Sequence, residues 1–291
     1  MRSDTNLELR ESNPDGTGGA GLSHTAGGMY LLHVLEIAEE GEPRGGVTVV
    51  HDIGDHGGRY EQVAEFLSKA GWAVSLPDMR GHGTSEGPRG HCLGLPEIVR
   101  DLNDSQDHLT IFAPGIPLGL IGQGLGGLQV LNYLIENPGR VLGAVVLSPT
   151  LSPAFDLPVK KGGLGGLFKK VKPESEGSIG NTPAKMTSVD SEQKALAADA
   201  KVHDVVTVRS GEVAKQAAEN VRARASEISV PVLILHGADD ELANVVDSQA
   251  LAGGNIEVRV IDGMRHDLLH ESGTAELQTE ILAWLEEKIQ F

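Results

Sequence analysis

Short apolar runs alternate along most of the chain with longer amphipathic stretches, and no other feature constrains the fold as strongly. The runs, each typical of a buried strand, lie at 30–37, 46–51, 73–77, 117–122, 142–148, 230–236 and 256–261. Between several of them apolar residues recur at helical spacing, as they do at 60–67, 128–135 and 277–285. Apolar strands alternating with helices predict an α/β fold, with a mostly parallel central sheet and helices on both faces.

The alternation stops between residues 151 and 229. This stretch ends in a helical repeat of Val213, Ala217 and Val221, so it predicts a helical cap inserted between core segments 23–150 and 230–291. Its Lys- and Gly-rich run at 160–170 favours a solvated loop over a surface for lipid or a partner. Residues 1–22 are polar and Gly-rich without a strand or helix period, which predicts a disordered tail.

Charge and composition exclude several classes of function. The net charge of −17 disfavours nucleic acid, whose phosphate backbone would be repelled. The single cysteine, Cys92, cannot form an internal disulfide, and no stretch reaches the roughly 18 apolar residues of a transmembrane helix. The amino terminus has no signal-peptide pattern. We therefore expect a soluble cytoplasmic protein; the sequence does not indicate its oligomeric state.

Residues 118–127 form an apolar strand that turns through glycines into an apolar helix. Two motifs match this turn. Gly122, Gly124 and Gly127 satisfy the dinucleotide fingerprint Gly-x-Gly-x-x-Gly. Gly122 and Gly126 instead satisfy the nucleophile elbow Gly-x-Ser-x-Gly, with Gly124 in the place of the serine. The loop follows the fourth run, and no acid ends the next strand, so nucleotide binding is only a minor alternative.

Four further segments lie in order along the chain and carry a family resemblance. They are His-Asp-Ile-Gly-Asp-His-Gly-Gly-Arg-Tyr at 51–60, Asp-Met-Arg-Gly-His-Gly-Thr-Ser-Glu-Gly at 78–87, His-Gly-Ala-Asp-Asp at 236–240 and Gly-Met-Arg-His-Asp at 263–267. With the elbow, they resemble the α/β-hydrolase superfamily, specifically its monoacylglycerol lipase and lysophospholipase branch, also called serine aminopeptidase-like hydrolases. The resemblance runs from about residue 29 to 289.

The resemblance implies a Ser-His-Asp ester hydrolase that needs no cofactor. By similarity, Asp240 would orient His266, the general base, and the backbone N–H groups of Ile53 and Leu125 would form the oxyanion hole. The nucleophile is missing, because Gly124 has no side chain. No acyl-enzyme can form at this position.

A second departure from the family lies at residue 52. Asp52 stands where the family has glycine, which places a carboxylate beside the proposed oxyanion hole. Its charge would oppose the negative charge of a tetrahedral intermediate. Gln123 stands where histidine is more frequent, and we give that change no weight.

Other residues could in principle supply chemistry. Ser148 ends the neighbouring strand, Ser85 lies in the turn after Asp78, and Cys92 follows shortly after. None has the elbow geometry, and each is interpreted as a turn or surface residue. A metal site formed by His51, Asp52, Asp55 and His56 is also not expected, because adjacent strand residues point to opposite faces.

Two classes of function stay open. The first is a non-catalytic homologue that holds an acyl or monoacylglycerol-like ligand beneath the cap. The second is a carboxylic-ester hydrolase, either inactivated by replacement of its serine at Gly124 or acting weakly through water held by His266. Asp52 favours the first class, because an inactivating replacement would usually change the serine alone.

Overall fold

The computed structural model describes residues 1–8, 30–158 and 171–290. Ten strands are described: β1 (Arg2–Glu8), β2 (Leu31–Ile37), β3 (Gly45–Val50), β4 (Trp72–Pro77), β5 (Leu118–Gln123), β6 (Gly143–Leu147), β7 (Glu176–Ser178), β8 (Val205–Thr207), β9 (Val232–Gly237) and β10 (Ile256–Ile261). The α-helices are α1 (Glu61–Lys69), α2 (Leu95–Phe112), α3 (Gly124–Glu136), α4 (Pro183–Met186), α5 (Asp190–Ala198), α6 (Val208–Arg224), α7 (Val245–Gln249) and α8 (Thr274–Lys288).

Eight strands form the central sheet, in the order β1-β2-β4-β3-β5-β6-β9-β10. Pairing is parallel from β4 to β10, and antiparallel where β1 and β2 join at one edge. Successive strand residues point to opposite faces. Leu120 therefore belongs to the apolar cluster that contains residues of α2, α3 and α6, while Ile121 belongs to the cluster that contains residues of α1 and α8. The predicted α/β fold, with helices on both faces, is confirmed.

The predicted disordered tail is wrong for its first residues. Arg2–Glu8 form β1, which pairs antiparallel with β2 from Arg2 opposite Ile37 to Glu8 opposite Leu31. Arg2 Nη2 also donates to Glu61 Oε2 over 2.9 Å. An edge strand gains its order from backbone pairing and needs no apolar alternation of its own, so the composition did not reveal it. Residues 9–22 lie outside the described residues.

The segment between β6 and β9, called the cap below, contains α4, α5 and α6. It also contains a small antiparallel sheet of β7 and β8, which sequence analysis did not predict. Strands of three residues are too short to show a period of two. α6 lies on α3, where Asn220 Nδ2 donates to Asn132 Oδ1 over 2.7 Å. The Lys- and Gly-rich run at 160–170 lies outside the described residues.

Candidate functional site

The turn between β5 and α3 has the backbone of a nucleophile elbow. Gly124 has φ of +55°, a left-handed conformation that favours glycine. A Cβ at Gly126 would lie 2.3 Å from the His51 carbonyl oxygen, and one at Gly122 would lie 2.8 Å from the Gly126 carbonyl oxygen. Gly122 and Gly126 are therefore required because neighbouring backbone atoms leave no room for a Cβ at either position. No dinucleotide is needed to explain them.

Asp52 follows β3, and its side chain is buried at the amino terminus of α3. Its Oδ1 accepts a hydrogen bond from the backbone N–H of Ile53 over 2.8 Å and another from that of Leu125 over 2.6 Å. These are the two N–H groups that the family resemblance assigns to the oxyanion hole. The sequence predicts a carboxylate beside the hole, whereas the structure places that carboxylate inside it.

The same carboxylate also lies where a side chain at position 124 would begin. A Cβ on Gly124 would lie 2.3 Å from Asp52 Cγ, closer than two unbonded carbons can approach. An ordinary side chain at 124 and the observed position of Asp52 thus exclude each other. The carboxylate would also repel a phosphate at this helix end, which weighs against nucleotide binding through Gly122, Gly124 and Gly127.

His266 lies between two carboxylates. Its Nε2 is 3.1 Å from Asp52 Oδ2, and its Nδ1 is 2.8 Å from Asp240 Oδ2. Asp240 is held in turn, because its Oδ1 accepts from the backbone N–H groups of Leu242 and Ala243 over 2.7 and 2.9 Å. The structure thus brings together the three side chains that the sequence singled out, with Asp52 where a serine hydroxyl would be expected.

The charges around His266 determine its protonation. Burial disfavours the imidazolium, but hydrogen bonds and charge attraction from Asp240 and Asp52 outweigh it and raise the pKa of His266 to about 10. Burial would likewise raise the pKa of Asp240, but its histidine partners, His236 and His266, hold it well below its usual range. At neutral pH His266 is therefore a cation that donates to both carboxylates, and it cannot accept a proton from a hydroxyl or a water.

A cavity of about 50 Å³ lies between this site and the cap. Asp52 and Leu125 line its floor, and Val213, Ala214 and Ala217 of α6 line its roof. By this measure a single water needs roughly 10 to 15 Å³, so the cavity has room for only a few waters. An acyl chain of several carbons would require α6 to shift away from the core.

The other candidate nucleophiles do not reach His266. Ser148 Oγ is 3.4 Å from the backbone nitrogen of Gly237, and Ser85 Oγ accepts from the backbone N–H of His33 over 2.8 Å. Cys92 lines the cavity, but burial raises the pKa of its thiol to about 11, so the thiolate is scarce at neutral pH.

The His and Asp residues of the loop after β3 have separate partners. His51 Nε2 accepts from the backbone N–H of Met79 over 2.9 Å, His56 Nε2 lies 2.9 Å from Asp199 Oδ2, and Asp55 Oδ2 pairs with Arg59 over 3.0 Å. Across residues 1–8, 30–158 and 171–290 no group of three or more His, Cys, Asp or Glu side chains is arranged to hold a metal ion.

Two residues that sequence analysis passed over support the site. Gln123 Nε2 donates to the backbone carbonyl of His266 over 2.7 Å, so the elbow residue given no weight fixes the histidine loop. Asn181, from the cap, brings its Nδ2 to 3.4 Å from Asp52 Oδ2. The family pattern at position 123 was a usable signal, whereas no sequence pattern placed Asn181 near the core.

Comparison with known proteins identifies the family and agrees with the fold. The family model described as serine aminopeptidase, S33, matches residues 41–273. A monoacylglycerol lipase of Mycolicibacterium smegmatis is 27% identical over 265 residues, which cover 89% of this chain and 94% of that protein. An uncharacterised abhydrolase domain-containing protein of Dictyostelium discoideum is 27% identical over 86% of this chain, but the match spans only 27% of that longer protein.

Among solved structures, the monoacylglycerol lipase of Paleococcus ferrophilus superposes with a TM-score of 0.75 and 27% sequence identity, covering 88% of this chain and 99% of that one. The fold thus defines an α/β-hydrolase, in which Gly124 begins the helix that follows β5. The chain belongs to the serine aminopeptidase, S33, family, and it is similar to monoacylglycerol lipases. No helix within the described residues has both the length and the apolar character needed to cross a membrane.

Proposed function

We propose that this protein is a ligand-binding member of its family that does not hydrolyse esters through a serine acyl-enzyme. One observation carries the proposal: the Asp52 carboxylate occupies both the oxyanion hole and the space of the nucleophile. An ester carbonyl would find no free N–H pair to stabilise its oxyanion. It would also find no general base, because His266 is already protonated.

The ligand that we propose is a fatty-acid-like or monoacylglycerol-like molecule beneath the cap. Apolar side chains from the core and from α6 line the cavity, including Leu125, Leu128 and Val213. The relatives named monoacylglycerol lipases support an acyl chain as the matching chemistry. Because the cavity is small, binding would displace α6. A cytoplasmic location and the lack of a nucleic-acid partner stay predictions.

The alternative, an ester hydrolase that works through water held by His266, is disfavoured by the same geometry. His266 donates its Nε2 proton to Asp52 and has no lone pair for a water. Replacement of a serine by Gly124 in an otherwise active enzyme would also not explain why the Asp52 carboxylate binds the N–H groups of Ile53 and Leu125.

Hydrolysis of short-chain p-nitrophenyl esters and labelling by a fluorophosphonate probe test the catalytic half of the proposal. We expect neither from the protein itself, and little from Gly124→Ser, because the displaced Asp52 carboxylate still lies beside the oxyanion hole and opposes the negative charge that would form there. The double variant Gly124→Ser with Asp52→Gly vacates the hole and lowers the pKa of His266, so it should be labelled at residue 124. Labelling of the unaltered protein that depends on His266 would contradict the proposal.

Calorimetric titration with monoacylglycerols and fatty acids tests the binding half. Ala214→Leu, which narrows the cavity from α6, should weaken binding at least tenfold. Lys215→Leu changes an exposed position on the same helix and serves as the matched control. Hydrogen exchange should rise in α6 on binding. If no acyl ligand binds the folded protein, the ligand assignment is wrong while the catalytic half stands.

A further inference from the structure

The position of Asp52 suits a reaction that differs from ester hydrolysis. We propose that Asp52 is a carboxylate nucleophile that displaces an anionic leaving group from a saturated carbon, forming an alkyl ester on its own side chain that water then cleaves. The proposal concerns the same cavity but does not depend on acyl-ligand binding.

The two oxygens of Asp52 are held unequally. Oδ1 is fixed by two backbone N–H groups at 2.6 and 2.8 Å. Oδ2 has longer contacts, 3.1 Å to His266 Nε2 and 3.4 Å to Asn181 Nδ2. Oδ2 is therefore the oxygen with a lone pair to share, and Asp52 borders the cavity. A carboxylate positioned in this way can attack carbon as other enzymatic carboxylates do.

The occupied oxyanion hole selects the class of substrate. Attack on an ester carbonyl needs the hole for the oxygen of the substrate, but here Asp52 itself fills it. Displacement at a saturated carbon needs no hole, because the negative charge departs on the leaving group. In that step the bond between Asp52 Oδ2 and carbon forms while the bond from carbon to halide breaks, and the halide leaves with the electron pair.

The second step uses the hole and His266 in their ordinary roles. Once Asp52 is an uncharged ester, His266 retains only Asp240 as a charged hydrogen-bond partner and releases its Nε2 proton to solvent. Neutral His266 can then take a proton from a water whose oxygen attacks Asp52 Cγ. The oxyanion forms on Oδ1, where Ile53 and Leu125 already donate.

Collapse of this intermediate breaks the bond between Cγ and Oδ2. The alcohol leaves with the proton from His266, and the hydroxyl proton left on the Asp52 carboxyl group then passes to His266 Nε2, which restores both the carboxylate and the imidazolium. The net change is alkyl halide and water giving alcohol, halide and one proton.

Bromoethane, whose two carbons suit the small cavity, is the probe, with bromide release and intact mass as the measurements. His266→Gln should block the second step and accumulate one alkyl group, which peptide mapping should place on Asp52 and not on the nearby buried Asp55. Asp52→Asn should release bromide no faster than buffer. Cys92 is a weak competitor because its thiol is protonated.

A single turnover of the unaltered protein in ¹⁸O-water needs no variant to fold. We expect ¹⁸O in the carboxylate of Asp52 and none in the alcohol, because the alcohol oxygen comes from Asp52. ¹⁸O in the alcohol alone would overturn the proposal, since it would make Asp52 a base and not a nucleophile. Absence of both bromide release and an Asp52 adduct, or an adduct on Cys92 alone, would also overturn it. None of these results depends on the esterase or lipid-binding assays.

Discussion

At the scale of single residues, position 124 is determined by two independent constraints. Its left-handed backbone disfavours any side chain, and Asp52 lies where the first carbon of one would be. A serine at this position would be strained by the left-handed backbone, and its Cβ would displace the carboxylate of Asp52. The glycine and the aspartate are therefore a matched pair, and changing one alone should cost stability.

A comparison of two glycines separates these constraints. Gly139 also has a positive φ, of +84°, but nothing lies within 4 Å of its missing Cβ. Gly139→Ala should lower the free energy of unfolding by about 1 kcal/mol, the cost of the left-handed backbone. Gly124→Ala should cost about 1 to 3 kcal/mol more, because it also displaces Asp52.

Urea denaturation of both variants measures the difference. In an Asp52→Gly background the cost of Gly124→Ala should fall to that of Gly139→Ala. Equal losses for the two alanines in the unaltered protein would show that the carboxylate is not where the structure places it.

At the scale of elements, the site is assembled where the carboxyl ends of β3, β5, β9 and β10 meet at one edge of the sheet. The cap contributes through α6, whose amino terminus is capped by Thr207. Thr207 Oγ1 accepts from the backbone N–H of Ser210 over 3.3 Å and lies 2.9 Å from His91 Nδ1. One buried hydroxyl therefore fixes the start of the helix that roofs the cavity.

Thr207→Ala should lower the free energy of unfolding by about 1 kcal/mol, the usual cost of losing an N-cap. Thr207→Ser keeps the hydroxyl and is the control. Hydrogen exchange of the first turn of α6 should quicken in Thr207→Ala, while α8, on the opposite face of the sheet, should not change. Unaltered exchange in α6 would argue against the capping role.

At the scale of the whole molecule, His266 joins parts of the chain that are far apart in sequence. Asp52 follows β3, Asp240 follows β9 and His266 follows β10, so only folding brings these three groups into contact. The protein has a net charge of −17, and the imidazolium of His266 is a local positive charge within it.

This linkage predicts how stability depends on pH. The pKa of His266 is about 10 in the folded protein, above the unfolded value of roughly 6.5. The stabilisation of the folded state by protonated His266 is therefore complete below about pH 6.5, and it is lost as the pH rises from there through about 10. The free energy of unfolding should fall over this interval, by at most about 1.4 kcal/mol per pH unit for one proton.

The control is Asp52→Asn, which removes one of the two carboxylates that stabilise the proton on His266. In this variant the free energy of unfolding should fall less steeply as the pH rises. His270 also has a raised pKa, through Asp267, which overcomes the effect of burial, and it contributes with the same sign in both proteins. Urea denaturation at pH 7 to 10 gives the two curves. Curves that run parallel would mean that Asp52 does not hold the proton on His266.

The sequence by itself determined the α/β fold, the elbow with its glycine at 124 and the roles expected of Asp240 and His266. Strand and helix periods reflect burial, which is a local property of the chain, and the family motifs are contiguous. The sequence did not predict β1, because this strand is ordered by its backbone pairing with β2. The position of Asp52 inside the oxyanion hole, the raised pKa of His266 and the contact from Asn181 were decided only by the tertiary structure. Each of these depends on distances between residues that are remote in sequence, and a displacement of a few ångströms would turn a carboxylate beside the hole into one within it.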